Sequence, residues 1–293
     1  MHAHASTRAG YDSATVDALV DALLRRLPAR RALFAGLSGL QASGKSTLAQ
    51  QIAAAARTRG VPTEILALDD FYLGRRERAM LAREAHPLLA TRGVPGTHDL
   101  ALLTRTLRSL ARASAKRPAH VPRFDKGRDT RLPPSRWRRV VSAPRLILLE
   151  GWCVGVPAQR PSVMTRAVNE LERNEDADRR WRRWVNAQLA GDYAALWQTF
   201  DALIMLAAAD FSVVARWREE PERILRRRRA PRALSPAALR RFLMHYERIS
   251  RHALRVLPRI ADIVVTLDAD RRVRGIVARN ARQRAGSTTT AVP

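Results

Sequence analysis

The segment Gly39-Leu40-Gln41-Ala42-Ser43-Gly44-Lys45-Ser46 limits what this chain can fold into more than any other. It matches G-x-x-x-x-G-K-[ST], a loop that works only between a buried strand and a helix. Both flanks fit. Leu33 to Leu37 is a short apolar run that reads as a strand, and Thr47 to Arg57 is alanine-rich and reads as a helix. In such a loop the glycines let backbone N–H groups curl around phosphate oxygens, and the helix N-terminus adds its positive dipole end. Gly39, Leu40, Gln41, Ala42, Ser43, Gly44, Lys45, Ser46 and Thr47 are therefore the expected nucleotide cradle. The Lys45 ammonium reaches the β- and γ-phosphates and the Ser46 hydroxyl ligates Mg²⁺, so ATP and Mg²⁺ are the expected cofactors.

Lysine usage supports this reading. Lys and Arg total 53, yet only Lys45, Lys116 and Lys126 are lysine. A compact ammonium fits the loop as a point charge where a planar guanidinium fork does not.

At 293 residues the chain can bury a substantial core. One cysteine, Cys153, excludes an internal disulfide and suits a reducing compartment. Met1 to Ser13 lacks an apolar core of signal-peptide length. No stretch approaches the ~20 apolar residues of a membrane span. These features predict a cytoplasmic protein without a membrane partner; oligomeric state is not legible. The net charge of +26 raises nucleic acid as a partner. Against it, the arginines are scattered over nearly every segment, and aromatic content is only 5%, which leaves few stacking platforms. Small polyanionic substrates account for part of the charge.

Apolar runs and helical patterns alternate along the chain. Val16 to Leu27 reads as an N-terminal helix, Thr63 to Leu68 as a strand, Arg75 to Glu84 as a helix and His86 to His98 as loop. Asp99 to Ala113 carries a leucine stripe at helical spacing, and Arg128 to Arg139 reads as an exposed basic excursion. Leu146 to Leu149 is the clearest buried strand. Ala177 to Trp197 reads as a long helix, Ala202 to Leu206 as a strand, and Val213 to Arg229 as a helix ending in four arginines. Ser235 caps a helix to Leu254 with Pro236 at its first position, and Ile263 to Leu267 is a last strand. From Gly275 the pattern weakens. The expected fold is α/β: a P-loop NTPase three-layer sandwich with a mostly parallel central sheet and a substrate-side insertion. The expected organisation is an N-terminal helical extension over 1–30, one domain over 31–280 with an insertion at about 73–144, and a disordered tail over 281–293.

In an open parallel sheet, ligands lie beyond the carboxyl ends of the strands. Three such ends carry chemistry: the phosphate loop, Asp69-Asp70 and Glu150. Glu150 follows four apolar residues, where a carboxylate for Mg²⁺ or its waters belongs. Asp69 is placed to take a proton from an acceptor hydroxyl. Asp70 either shares that task or holds a metal-bound water. A helix N-cap pair is the plain alternative for both. Lys45, Asp69 and Asp70 are thus the catalytic candidates, and Ser46 and Glu150 the metal ligands.

The elements Asp69-Asp70-Phe71-Tyr72, Arg92-Gly93-Val94-Pro95-Gly96-Thr97-His98-Asp99, Val121-Pro122-Arg123-Phe124-Asp125-Lys126 and Glu150-Gly151-Trp152-Cys153-Val154-Gly155 together resemble the D-glycerate 3-kinase family of the plant and fungal type. That family sits within the P-loop kinases that include uridine kinase, phosphoribulokinase and bacterial pantothenate kinase. The likeness runs from about Leu33 to Leu267 in the same order. The chain departs from the family pattern in a short segment, Gly127 to Pro133, and in Ala209, where proline is usual. The resemblance implies phosphorylation of D-glycerate to 3-phosphoglycerate with ATP and Mg²⁺, and Asp69 as general base. A site for this small acid needs a cation for its carboxylate and polar groups for its hydroxyls. Arg92, His98, Asp99, Arg123 and Lys126 are the candidates, although His98-Asp99 also suits the start of a helix. In the wider group a basic lid closes over the triphosphate. Arg216, Arg218, Arg223 and Arg226 to Arg229 are the candidates here, with a solvated helix end as the alternative. Two other functions fit the loop: a kinase for a nucleoside or pantothenate, and a basic nucleic-acid-associated NTPase.

Overall fold

The computed structural model describes residues 10–227 and 234–279. Asp12 opens helix α1 (Ser13–Leu24) by accepting a hydrogen bond from the Thr15 N–H, satisfying a donor that the first helical turn leaves unpaired. Strand β1 (Leu33–Gly39) is buried over its whole length, as a strand covered on both faces must be. The glycine loop turns it into α2 (Lys45–Thr58), which leads to β2 (Thr63–Ala67). A 3-10 turn, Leu68–Phe71, carries the aspartate pair.

The chain then leaves the sheet. Helix α3 (Arg75–Glu84) precedes a 3-10 turn at Pro87–Ala90 and helix α4 (Leu100–Leu110). Two small antiparallel ribbons follow, one inside the other. β3 (Ala119–Val121) pairs with β6 (Arg138–Val140), and β4 (Phe124–Asp125) pairs with β5 (Thr130–Arg131). Arg128 to Arg139 is exposed over most of its length, as expected, and it also supplies the return strand of both ribbons. Its Arg138 forks onto Glu64 at the second residue of β2, with one arm at 2.9 Å.

β7 (Leu146–Gly151) rejoins the sheet. Helices α5 (Glu170–Glu175), α6 (Arg180–Gln188) and α7 (Ala194–Trp197) follow. The single helix expected over this stretch is broken by a π-helical turn, Leu189–Tyr193, in which Gly191 leaves helical geometry at φ −92° and ψ −115°. β8 (Ala202–Ala208), α8 (Val213–Arg227), α9 (Pro236–Ile260), β9 (Ile263–Leu267) and β10 (Val273–Ala278) complete the chain. Ser235 caps α9 through its side chain and Pro236 is its first residue, as expected. The helix runs on to Ile260 rather than ending at Leu254. β10 was not expected, and it pairs antiparallel with β9. Arg228, Arg229 and the 281–293 tail lie outside the described residues.

The sheet order is β10-β9-β8-β1-β7-β2, with every pairing except the first parallel. Side chains alternate along each buried strand. Leu33, Ala35, Leu37, Leu146 and Leu148 join the core formed with α1 and α2, through Leu19, Leu23, Leu48 and Ile52. Phe34, Ile147, Leu149 and Met205 belong to a second core shared with α4, α6 and α9, through Leu103, Trp181, Ile249 and Leu257. The result is a three-layer α/β sandwich of the P-loop kinase type, with the 72–145 stretch attached at one edge. Trp181 is buried, and Trp184 and Trp197 pack partly buried against the second core. No helix among the described residues is long and apolar enough to cross a membrane.

Candidate active site

Because β1, β7 and β2 are neighbours and parallel, their carboxyl ends lie in one row. Glu150 of β7 is in register with Leu37 of β1 on one side and with Ala67 of β2 on the other. The glycine loop, Glu150 and the aspartate turn are thereby brought side by side, though 104 residues separate Ser46 from Glu150.

The loop adopts a phosphate-cradle geometry. Ala42 and Gly44 have φ of 58° and 95°. Glycine is required at position 44, since a Cβ there would also lie 2.8 Å from the Tyr11 hydroxyl. Two distant residues hold the loop's carbonyls: Tyr11 Oη donates to Ser43 O at 3.0 Å, and Arg271 Nη1 donates to Ala42 O at 2.9 Å. Burial pushes the Tyr11 phenol up to about 12, so it stays a donor. Lys45 is buried and its Nζ donates to Leu40 O at 3.0 Å. Burial lowers the Lys45 pKa, and the carboxylates of Glu150 and Asp69 oppose that. The Ser43 hydroxyl and the Gln41 amide are buried without partners, polar groups of the kind that a bound anion would satisfy. Ser46 Oγ donates to Glu150 Oε1 at 2.6 Å. A hydroxyl and a carboxylate in contact are hard oxygen donors suited to Mg²⁺.

Asp69 accepts from Tyr72 Oη at 2.7 Å on one oxygen and from Lys126 Nζ at 2.6 Å on the other. Burial would raise its pKa. The Lys126 ammonium and these two hydrogen bonds outweigh burial and hold the carboxyl well below the usual range. Asp70 Oδ1 accepts from the Phe124 N–H at 2.9 Å and so ties the inner ribbon to the aspartate turn. Burial raises its pKa, opposed by that hydrogen bond and by Arg123.

The remaining candidates separate. Lys126 faces Asp69. His98 stacks on Tyr72 with ring centroids 4.6 Å apart, and its Nδ1 meets Tyr193 Oη at 2.6 Å. Tyr193 Oη also accepts from the Gly96 N–H at 2.9 Å, so its own proton is directed to Nδ1. Burial pushes the His98 pKa down to about 4, which leaves a neutral ring with its proton on Nε2. That Nε2 is buried without a partner. Arg92 pairs with Asp129 and covers the Phe124 ring. Asp99 caps α4 by accepting from the Leu102 N–H at 2.8 Å and meets Arg131 at 3.3 Å. The helix-start reading thus describes Asp99. Arg123 is exposed.

Four residues were absent from the expected set. Tyr72 binds Asp69, Tyr193 orients His98, and Arg78 with Asp129 clamps the inner ribbon through a 2.5 Å ion pair. Only Tyr72 had a local signal, its place in the Asp-Asp-Phe-Tyr element. On α8, Arg218 pairs with Glu222, Arg226 with Glu219, and Arg216 with Asp270. A cleft of about 340 Å³ lined by Trp217, Glu220, Arg223 and Arg271 opens beside the loop that Arg271 holds.

No protein-family model matches the chain. An uncharacterized kinase of Schizosaccharomyces pombe, mug58, is 31% identical over 245 residues, covering 79% of this chain and 86% of that relative. The chloroplastic D-glycerate 3-kinase of Arabidopsis thaliana is 31% identical over 201 residues, 66% of this chain but only 42% of the plant protein. The solved structure of D-glycerate 3-kinase from Cryptococcus neoformans superposes with a TM-score of 0.74 at 21% identity, covering 91% of this chain and 100% of that one. At that identity the likeness is one of fold.

Proposed function

We propose, from the premise that this chain belongs to the P-loop kinase family that includes D-glycerate 3-kinase, that it phosphorylates D-glycerate to 3-phosphoglycerate with ATP and Mg²⁺. The family makes it a phosphotransferase acting on a small molecule. The observation that carries the finer reading is the Asp69–Lys126 pair at the end of β2, one strand away from Glu150. It sets a carboxylate for a hydroxyl proton beside a cation for an acid.

Residues 39–47 hold the triphosphate through backbone N–H groups, with Lys45 against the β- and γ-phosphates. The cleft beside Trp217 and Arg271 is the room available for the nucleoside. Ser46 and Glu150 would hold Mg²⁺, which when bound neutralises charge on the phosphates. Lys126 takes the acceptor carboxylate, and the His98 Nε2–H is offered to an acceptor oxygen. Arg92 and Arg123 add positive potential, and Asp70 acts by positioning the inner ribbon. Asp69 accepts the hydroxyl proton while that oxygen attacks the γ-phosphorus in line with the departing ADP.

The test is ADP release with ATP and Mg²⁺ over D-glycerate, L-glycerate, uridine, pantothenate and single-stranded DNA. Turnover with D-glycerate, and NMR of a 3-phosphorylated product, is the expected result. Turnover only with uridine or pantothenate would replace the acceptor. Stimulation only by DNA, falling steeply with salt, would replace the function.

A further inference from the structure

Both oxygens of Asp69 have partners, Oδ1 the Tyr72 hydroxyl and Oδ2 the Lys126 ammonium. Each oxygen keeps a lone pair, but the ammonium on Oδ2 lowers the basicity of the carboxylate and makes it a poor acceptor of a hydroxyl proton. The two partners differ in kind. Tyr72 is a buried ring stacked on His98, whereas the Lys126 side chain is 62% exposed and that of Asp69 is 31% exposed. The exposed Lys126 head is therefore the partner that an anion arriving from solvent can reach.

The backbone beneath Lys126 is held on both sides. Asp70 grips the Phe124 N–H, and Asp129, beyond the turn, is gripped by Arg78 and Arg92. Asp125 closes the turn by accepting from the Arg128 N–H at 2.9 Å. With the turn fixed, what can move is the flexible stem of Lys126, which swings its charge over a few ångströms. Lys45 cannot substitute for it, being buried and bonded to Leu40 O.

We propose that Lys126 is a charge-selective gate on Asp69: an anionic group on the acceptor draws the ammonium away, so that the carboxylate regains its basicity when an acid occupies the site. The inference rests on the reading of Asp69 as base. The freed carboxylate takes the hydroxyl proton, the hydroxyl oxygen bonds to the γ-phosphorus, and the β–γ bridging P–O bond breaks with its electrons leaving on ADP. A neutral alcohol carries no charge with which to draw Lys126 from Asp69. The substrate class is therefore hydroxy acids, and glycerol, with the same three-carbon skeleton, is rejected by charge as well as by affinity. The same device suppresses ATP hydrolysis when no acceptor is bound.

The test uses Lys126→Met, which keeps the stem and removes the charge at an exposed position, with Tm confirming the fold. ADP release is measured without acceptor, with D-glycerate and with glycerol, in the native protein, Lys126→Met, Asp69→Asn and the double variant. Acceptor-free release is expected to rise about tenfold or more in Lys126→Met and to return to background when Asp69→Asn is added. The ratio of kcat/KM for D-glycerate over glycerol is expected to fall about a hundredfold. Acceptor-free release equal to the native rate overturns the proposal, as does a rise that persists without Asp69. The acceptor reading fails separately, if the native protein ignores D-glycerate, and the base reading fails separately, if Asp69→Asn alone keeps full turnover.

Discussion

Ser46 Oγ and Glu150 Oε1 lie 2.6 Å apart, joining the end of the glycine loop to the end of β7 across 104 residues of sequence. The contact exists because β7 is parallel to β1 and in register with it through Gly151. Glu150→Gln keeps the shape and removes the charge. We expect the Mg²⁺ concentration for half-maximal turnover to rise about tenfold to a hundredfold, with metal-free ATP binding retained. An unaltered Mg²⁺ titration would take Glu150 out of the metal site.

Asp69 and Asp70 are adjacent but should fail differently. Asp69→Asn should lower kcat by about 10²–10⁴-fold while leaving the ATP Kd nearly unchanged. Asp70→Ala releases the Phe124 N–H, loosening the ribbon that presents Lys126. It should raise the acceptor KM with a smaller change in kcat. Steady-state kinetics on both variants, with ATP binding by calorimetry, separate the roles. Equal kcat losses at both positions would contradict the division.

Gly93 has φ of 132°, and a Cβ there would sit 2.0 Å from the Tyr246 hydroxyl. The clash meets a buried ring, so Gly93→Ala should destabilise the fold by about 2 kcal/mol or more. Gly191 meets nothing within 4 Å, and Gly191→Ala is the control. Urea unfolding should rank them clearly. A Gly93→Ala protein as stable as Gly191→Ala would mean that the 92–99 loop moves freely.

His98 has a folded pKa of about 4 against an ordinary 6.5. The unfolded chain then binds the extra proton between these values. The stability is fully present above pH 6.5 and is lost as pH falls through the folded value, by about 3 kcal/mol in total. Native stability relative to His98→Gln should therefore decline by about 1 kcal/mol per pH unit across that window. Denaturant titrations at pH 7.5, 5.5 and 4.5 measure it. A constant difference would show that His98 is not held neutral by burial.

What could be read from the sequence was what is local. The phosphate loop declares itself within eight residues, and Asp69 and Glu150 are marked by the apolar runs they terminate. The ribbon strands are two or three residues long, too short to show a period of two. β10 is mostly exposed, so it lacks the apolar pattern that betrays a core strand. The pairing of Arg92 with Asp129 spans 37 residues, so spacing could not show it. Tyr193 reaches His98 across 95 residues, a pairing that no spacing rule detects. Asp99 suited two roles from sequence, and its hydrogen bond to the Leu102 N–H shows the capping one in use.

The glycine loop is held from opposite directions along the chain, by Tyr11 on Ser43 and by Arg271, which crosses 229 residues to reach Ala42. On the ribosome the loop is made early, but its second support emerges only after the whole central sheet except the edge strand has been synthesised. A nascent chain can therefore carry the entire phosphate-binding sequence while still lacking the shape that grips a nucleotide.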